Sequence, residues 1–226
     1  YKLGDFYANK GMPFVMISER QTNAPDLIWD IEIKNEYLTW LNRIHIESSA
    51  NIRKELIQRE LTIEKDQLFH LDNLLETRRR IFELGIFNNV TINTIETSLK
   101  DSANIDIVLS DSKQRLLNMN FGVQQGRIEE VNQTYLFTQA DWTHKNLWQR
   151  AHRFTVVGNL NLLWEQLQNF RTPQPSYNAE IRYTVPWLWF LRLPTTAKIY
   201  YRQDVYSPFS ELLIEKNDTV SYTHLT

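Results

Sequence analysis

Between Arg115 and Gly126 the chain reads RLLNMNFGVQQG, in which Leu117, Met119, Phe121 and Val123 alternate with Asn118, Asn120, Gly122 and Gln124. A period of two belongs to a β-strand with one apolar and one polar face. The alternation returns downstream. In Arg153–Asn161, Phe154, Val156, Gly158 and Leu160 stand opposite Arg153, Thr155, Val157 and Asn159. In Tyr177–Val185, Ala179, Ile181 and Tyr183 stand opposite Asn178, Glu180 and Arg182. Thr195–Val205 sets Ala197, Ile199 and Tyr201 against Lys198, Tyr200 and Arg202, and Gln133–Thr143 is a less regular member of the series. The pattern predicts about five two-faced strands beyond Arg115.

Upstream the periodicity is mixed. Leu3–Ala8 reads as the end of a helix, with Gly11 just past it as a C′ residue. Phe14–Ser18 and Leu27–Ile33 read as a hairpin. Trp40–Ile46 alternates, with Trp40, Asn42, Ile44 and Ile46 on one side and Leu41, Arg43 and His45 on the other. Ser48 or Ser49 is placed to cap a helix running to about Arg59, with Ile52 and Leu56 stacked at i, i+4. After a loop at Thr62–Gln67 comes a second helix. Asp72 is its expected N-cap, Leu74, Leu75, Arg78, Ile81, Phe82 and Leu84 include its apolar stripe, and Gly85 is its stop. Strands at Phe87–Ile95 and Ile105–Ser110 close a β-α-α-β-β unit.

The totals narrow the chemistry. With 226 residues and a net charge of −2, nothing suggests a nucleic-acid partner. Cysteine is absent, which removes disulfides and thiolate metal sites. No phosphate-cradling GxGxxG or GxxxxGK[ST] occurs. No apolar run reaches the roughly 18 residues of a membrane helix; Val185–Leu193 comes nearest and contains Arg192. Strands of about 9–11 residues with alternating polarity can still cross a bilayer as a β-barrel. On that reading Glu180, Arg182 and Lys198 face a wet lumen, and Trp142, Trp148, Trp164, Trp187 and Trp189 mark strand ends as an interfacial belt. Asp141, His144 and His152 fit no zinc spacing and accompany no nucleophile motif, so they read as polar loop or lumen residues. Arg78-Arg79-Arg80 is a single basic triplet and reads as a solvated helix face. No catalytic residue, metal site or cofactor is expected.

The run LETRRRIFELGIFNNVTI, Leu75–Ile92, resembles the hallmark of the POTRA domain. In that family a helix ends in Leu-Gly-x-Phe and the next strand soon carries Val. Here these are Leu84, Gly85, Phe87 and Val90. Gly85 permits a left-handed turn, and the three apolar residues can pack the helix on the sheet. Lys65 before Asp66 and Ser48-Ser49 stand where the family commonly has glycine. The strands beyond Arg115 resemble the opening of the barrel that follows POTRA domains in BamA-like and TamA-like outer-membrane assembly proteins. Asn146-Leu147 and the Tyr-x-x-Pro-Trp of Tyr183–Trp187 match family habit.

The resemblance implies an α+β POTRA fold followed by the N-terminal strands of an antiparallel transmembrane β-barrel. Residues 1–38 would be the C-terminal part of one POTRA domain, 39–112 a complete one, and 113–219 the first strands of a truncated barrel. Val220–Leu225 resembles a translated transposon-end sequencing adapter, so 220–226 is set aside as a non-native tail. An incomplete barrel is expected because the smallest membrane barrels use about eight strands.

The implied function is assembly and insertion of outer-membrane proteins, with no covalent step and no enzyme activity. The implied partners are unfolded outer-membrane protein clients, outer-membrane lipid, and periplasmic chaperones or accessory lipoproteins. The implied location is the outer membrane of a Gram-negative-type bacterium, with the POTRA part in the periplasm. The first barrel strand (Leu117, Asn118, Met119, Asn120, Phe121, Gly122, Val123) is expected to pair with client strands. Two alternatives stay open. One is a polypeptide exporter of the two-partner-secretion type in the same superfamily. The other is a soluble β-rich binding protein whose strands bury their apolar face in a sandwich.

Overall fold

The structure, a computed structural model, describes residues 2–23, 27–49, 51–98, 101–128, 131–163, 175–206 and 214–225. The chain forms two compact units, Tyr1–Ser112 and Lys113–Thr226.

The first unit opens with helix α1 (Lys2–Asn9). Gly11 follows at φ 90°. The Met12 N–H donates to the Tyr7 carbonyl at 3.0 Å and the Gly11 N–H to the Ala8 carbonyl at 3.1 Å, the paired bonds of a Schellman cap. Strands β1 (Met16–Asn23) and β2 (Leu27–Lys34) form an antiparallel hairpin, with Met16 opposite Lys34. The first strand thus starts at Met16 rather than Phe14 and runs on to Asn23.

β3 (Trp40–Ser48), α2 (Lys54–Glu60), α3 (Leu71–Glu83), β4 (Phe87–Glu96) and β5 (Ser102–Asp111) follow. The sheet order is β3-β5-β4, with β5 parallel to β3 and antiparallel to β4. A parallel pair needs a crossover, and the two helices supply it. Ala103, Ile105, Ile107 and Leu109 are the buried alternate positions of β5, and Ile57, Leu74 and Ile81 bring the apolar side of the helices into the same core.

Four local expectations are corrected. Leu41 is fully buried, together with the side expected to carry Ile44 and Ile46. A register shift between Leu41 and Arg43 explains it: Leu41 pairs with Ala103 while Ile44 pairs with Ile105, so one extra residue, Asn42, returns the isoleucines to the core side. Neither Ser48 nor Ser49 caps α2; its N-cap is Arg53, with no side-chain bond. The Ser49 hydroxyl instead ties β3 to β5, donating to the Leu109 carbonyl at 3.3 Å and accepting from the Asp111 N–H at 2.9 Å. Asp72 lies inside α3, whose N-cap is His70. The Asp72 N–H is met at 2.9 Å by the side-chain oxygen of Asn9 at the end of α1, and the Asn9 amide returns a bond to the Asp72 carboxylate at 3.1 Å. Leu75 and Phe82 lie on the exposed side of α3, and Thr77 takes the buried place between Leu74 and Ile81. Thr77 is satisfied there by the Thr62 N–H at 3.0 Å and the Thr62 hydroxyl at 2.8 Å.

Gly85 takes φ 71°, and Leu84, Phe87 and Val90 around it are buried. In the helix–helix loop Asp66 itself takes φ 62°, a conformation aspartate tolerates better than most residues. Its N–H donates to the Leu41 carbonyl at 2.6 Å, and the Phe69 N–H to the Thr39 carbonyl at 2.9 Å, so the loop lies along the start of β3. The arginine triplet is engaged. Arg78 donates to the Val90 carbonyl at 3.0 Å, Arg79 pairs with Glu76 and Glu83, and Arg80 pairs with Glu76.

The second unit is one antiparallel meander of six strands: β6 (Arg115–Ile128), β7 (Val131–Leu147), β8 (His152–Leu163), β9 (Ser176–Val185), β10 (Thr195–Tyr206) and β11 (Ile214–Leu225). The sequence pattern counted about five. The sixth is built by the segment containing Val220–Leu225, whose backbone pairs with β10 from Thr195↔Leu225 to Tyr206↔Ile214. The last residues before 226 are therefore strand in the structure, where the sequence set them aside. Among the described residues, β6 and β11 are the terminal strands of this sheet and are not paired with each other.

Candidate functional site

Register converts the alternation of single strands into two continuous faces. Leu117, Trp142, Val156, Ile181 and Ile199 stand opposite one another in successive strands from β6 to β10. They form one apolar row, each residue 37–65% exposed. Parallel to it runs Met119, Ala140, Gly158, Ala179 and Tyr201. Phe121 on the same face is 86% exposed. Among the described residues nothing covers this face, whereas soluble monomers rarely leave so wide an apolar surface open.

The opposite face is polar on every strand. Asn120, Gln139, Asn159, Asn178 and Arg202 make one row, and Asn118, Asp141, Val157, Glu180 and Tyr200 the next. The Asn118 amide donates to the Asp141 carboxylate at 2.8 Å. Thr143 meets Thr155 at 3.1 Å, and Thr184 meets Thr196 at 2.9 Å. Glu180, 7% exposed, is held by both Arg182 and Lys198. The carboxylate therefore leaves water with two cationic partners, as a buried charge requires. This face is concave, enclosing about 380 Å³ over Gln124, Phe137, Gln139, Asn159, Asn178 and Arg202.

The sequence candidates thus fall into distinct places. Asn118, Asn120 and Gly122 of β6 share the polar face with Glu180, Arg182 and Lys198, while Leu117, Met119, Phe121 and Val123 lie on the other. All seven β6 candidates belong to a terminal strand that begins at Arg115, as the alternation does, and runs two residues past Gly126. Leu84, Gly85, Phe87 and Val90 belong to the first unit's core. Asp141, His144 and His152 are engaged separately: Asp141 with Asn118, His144 Nδ1 as acceptor of the Asn146 N–H at 3.2 Å, and His152 with the Tyr183 hydroxyl at 2.7 Å. Among the described residues no three His, Asp or Glu groups converge as a metal site.

Two features escaped the pattern. The Phe137 ring lies over the bare backbone of Gly122 on the polar face. Asn146 organises the β7–β8 turn: its side-chain oxygen accepts from the Ala151 N–H at 3.0 Å, and its carbonyl from the Gln149 N–H at 3.3 Å. Near that turn an aromatic belt crosses the apolar face. Trp142 contacts Phe154 at 6.1 Å between ring centres, and Trp148 contacts Tyr183 at 6.3 Å and His152 at 6.2 Å. Trp164, expected in the belt, lies outside the described residues.

Against known proteins, residues 41–121 match the POTRA family, described as surface antigen variable number repeat. The match runs through β3–β5 and into β6. The chain is 23% identical over 161 residues to a putative outer membrane protein assembly factor of Treponema pallidum, covering 70% of this chain and 19% of that protein. It is 23% identical over 112 residues to outer membrane protein assembly factor BamA of Nitratidesulfovibrio vulgaris, covering 48% and 14%. The chain therefore spans less than a fifth of either relative. In fold it resembles BamA from Haemophilus ducreyi lacking POTRA domains 1–3, with TM-score 0.71 and 11% identity over 99% of this chain and 40% of that one. It also resembles CdiB from Acinetobacter baumannii, with TM-score 0.57 and 14% identity over 96% and 38%. The class is an α+β POTRA domain leading into an antiparallel sheet of barrel type. The chain is thus similar to outer-membrane assembly factors in sequence and to BamA in fold.

Proposed function

We propose that the chain is the POTRA-to-barrel portion of an outer-membrane protein assembly factor. Its sheet crosses the outer membrane with the Leu117–Ile199 row in lipid and the Glu180–Lys198 side facing a water-filled lumen. The observation that carries this reading is the exposed apolar row from Leu117 to Ile199 across five strands, backed on the other face by the polar row from Asn120 to Arg202. That is the arrangement a membrane barrel needs and a soluble sandwich must cover. The POTRA domain would lie in the periplasm, where clients, chaperones or accessory lipoproteins meet it. Its terminal strands β3 and β4 offer backbone edges to extended client segments.

The mechanism on this reading is physical. In a closed barrel β6 would pair with the last strand; where that seam opens, one row of its backbone N–H and C=O groups needs a partner, and in lipid an unmet group is costly. A client strand satisfies those groups through backbone bonds, which makes the pairing tolerant of client sequence. Since the chain contains no cysteine, single cysteines placed from Asn118 to Gln124 report client contact by disulfide to a stalled client. Crosslinks along β6 are expected; crosslinks confined to the POTRA domain would contradict the templating role. The likeness to CdiB keeps export as the second reading. An exporter would crosslink its cargo at Glu180, Arg182 and Lys198 instead.

A further inference from the structure

Strand β3 closes its sheet on one side, and the helix–helix loop covers the start of that edge. The Phe69 N–H donates to the Thr39 carbonyl at 2.9 Å, the Leu41 N–H to the Gln67 carbonyl at 2.8 Å, and the Asp66 N–H back to the Leu41 carbonyl. With the antiparallel bridge Trp40↔Leu68, the loop lays a short extended segment on β3 and leaves it at Asp66. Among the described residues no strand pairs with this side of β3 from Asn42 to Ser48. An open edge accepts an extended segment through backbone bonds.

Where the loop leaves the edge lies a recess of about 520 Å³, lined by Asn42, Arg43, Ile44, Lys65 and Asn104. It sits at the β3 bulge, where the extra residue Asn42 precedes the Arg43↔Asn104 rung. Bulges re-aim side chains and recur beside functional sites. Two of the lining residues are cations, two are amides and none is a carboxylate. The Asn42 amide donates to the Asn104 side-chain oxygen at 3.3 Å. Arg43 is exposed, and Lys65 lies 3.9 Å from Asp66 with both side chains mostly in water. A pair so long and so exposed is weak, so Lys65 can meet a second carboxylate.

The loop also sets a direction. A segment added antiparallel to the open part of β3 runs from Ser48 toward Leu41. Its C-terminal end arrives at the recess, because Asp66–Phe69 occupies the edge beyond. A parallel segment would instead bring its N-terminal end against Arg43 and Lys65. We infer that the recess is a carboxylate subsite, through which the β3 edge selects antiparallel extended segments carrying an acidic group at the C-terminal end. An Asp or Glu side chain and a main-chain terminus both supply that group. The inference rests on the reading that the POTRA edges receive client segments, and it assigns one edge, one direction and one charge.

The test uses the full chain in detergent micelles with Glu47→Cys, an exposed β3 position in a chain that otherwise lacks cysteine. Three alternating Thr–Val peptides carry an N-terminal cysteine. One ends in a neutral amide, one has Glu before that amide, and one ends in a free carboxylate. Disulfide yield in a glutathione exchange buffer reports occupancy of the edge. An acidic peptide should gain about threefold over the neutral amide at low salt, as an exposed charge pair gives. Arg43→Gln combined with Lys65→Gln should abolish the gain and leave the neutral peptide's yield unchanged, which also shows that the variant is folded. Whichever acidic peptide gains identifies the source of the carboxylate. Moving the cysteine of that peptide to the opposite end should lower the yield. Equal yields from all three peptides, a gain that survives loss of both cations, or a higher yield with the cysteine moved would overturn the subsite and leave the edge reading standing. If no peptide forms the disulfide, the edge reading fails at β3 and the subsite falls with it.

Discussion

The ring of Phe137 occupies the space that a side chain on Gly122 would need: a Cβ built there would lie 2.9 Å from Phe137 Cε1 and 3.1 Å from Cζ. The two residues are register partners on the polar face, and Gly122 belongs to the terminal strand β6. An aromatic ring laid across a strand glycine replaces the packing that the glycine lacks. The pair should be energetically coupled. Phe137→Ala should destabilise the sheet by about 0.2–1 kcal/mol, in the range of a cross-strand pair. The loss should be smaller when Gly122→Ala is already present. A double-mutant cycle in urea unfolding measures this, and additive effects would mean that the ring does not support the glycine.

Ile181 and Arg182 are sequence neighbours on opposite faces. Near the bilayer midplane Ile181→Arg should cost about 2–4 kcal/mol. Arg182→Ile should cost little, because Lys198 still holds Glu180. Equal losses in membrane-refolding titrations of the two variants would remove the assignment of faces.

The Asn9–Asp72 pair links the segment before residue 39 to helix α3. Asn9→Ala removes a side chain that caps the start of α3 from outside the helix. It should lower the stability of the 1–112 unit by about 0.5–2 kcal/mol, as loss of an N-cap does. Denaturant unfolding of 1–112 should therefore shift with this variant. An unchanged midpoint would make the joint decorative.

Glu76 is held by Arg79 and Arg80, which lower its pKa from 4.5 to about 2. A carboxylate with a depressed folded pKa adds stability that is complete above the unfolded value and lost as pH falls through the folded one. The contribution should therefore fade between pH 4.5 and pH 2. It should be small, since the site is open to solvent and such pairs are screened. Glu76→Gln should flatten the acid limb of the stability profile of 1–112 in that window and change nothing in its shape near neutrality.

Much of this organisation is legible from residue pattern because burial and periodicity coincide. The two-faced strands announce themselves wherever one side is apolar, as in Tyr177–Val185. Gly85 announces itself because a helix stop at φ 71° favours glycine, with Leu84 and Phe87 beside it to fill the core. What the sequence hides depends on distant pairing. The extra residue at Asn42 changes which neighbour faces inward, and only the β5 register reveals it. The cap on α3 comes from Asn9, 63 positions away, so no local signature of Asp72 could identify it. Leu75 and Phe82 fit a helical stripe in sequence, yet Thr77 is the residue buried, because Thr62 satisfies its hydroxyl. The Phe137–Gly122 pair likewise exists only once β6 and β7 are in register.

The sheet of the second unit is proposed to stand in a membrane with its two faces in different solvents. Single cysteines at successive positions from Leu117 to Gln124, treated in intact proteoliposomes with a water-soluble maleimide, test it most directly. Alternation is expected, with 118, 120 and 124 labelled and 117, 119, 121 and 123 protected until detergent is added; 122 is left out because Phe137 fills the space of a side chain there. Uniform labelling along the strand, or protection that ignores parity, would contradict it.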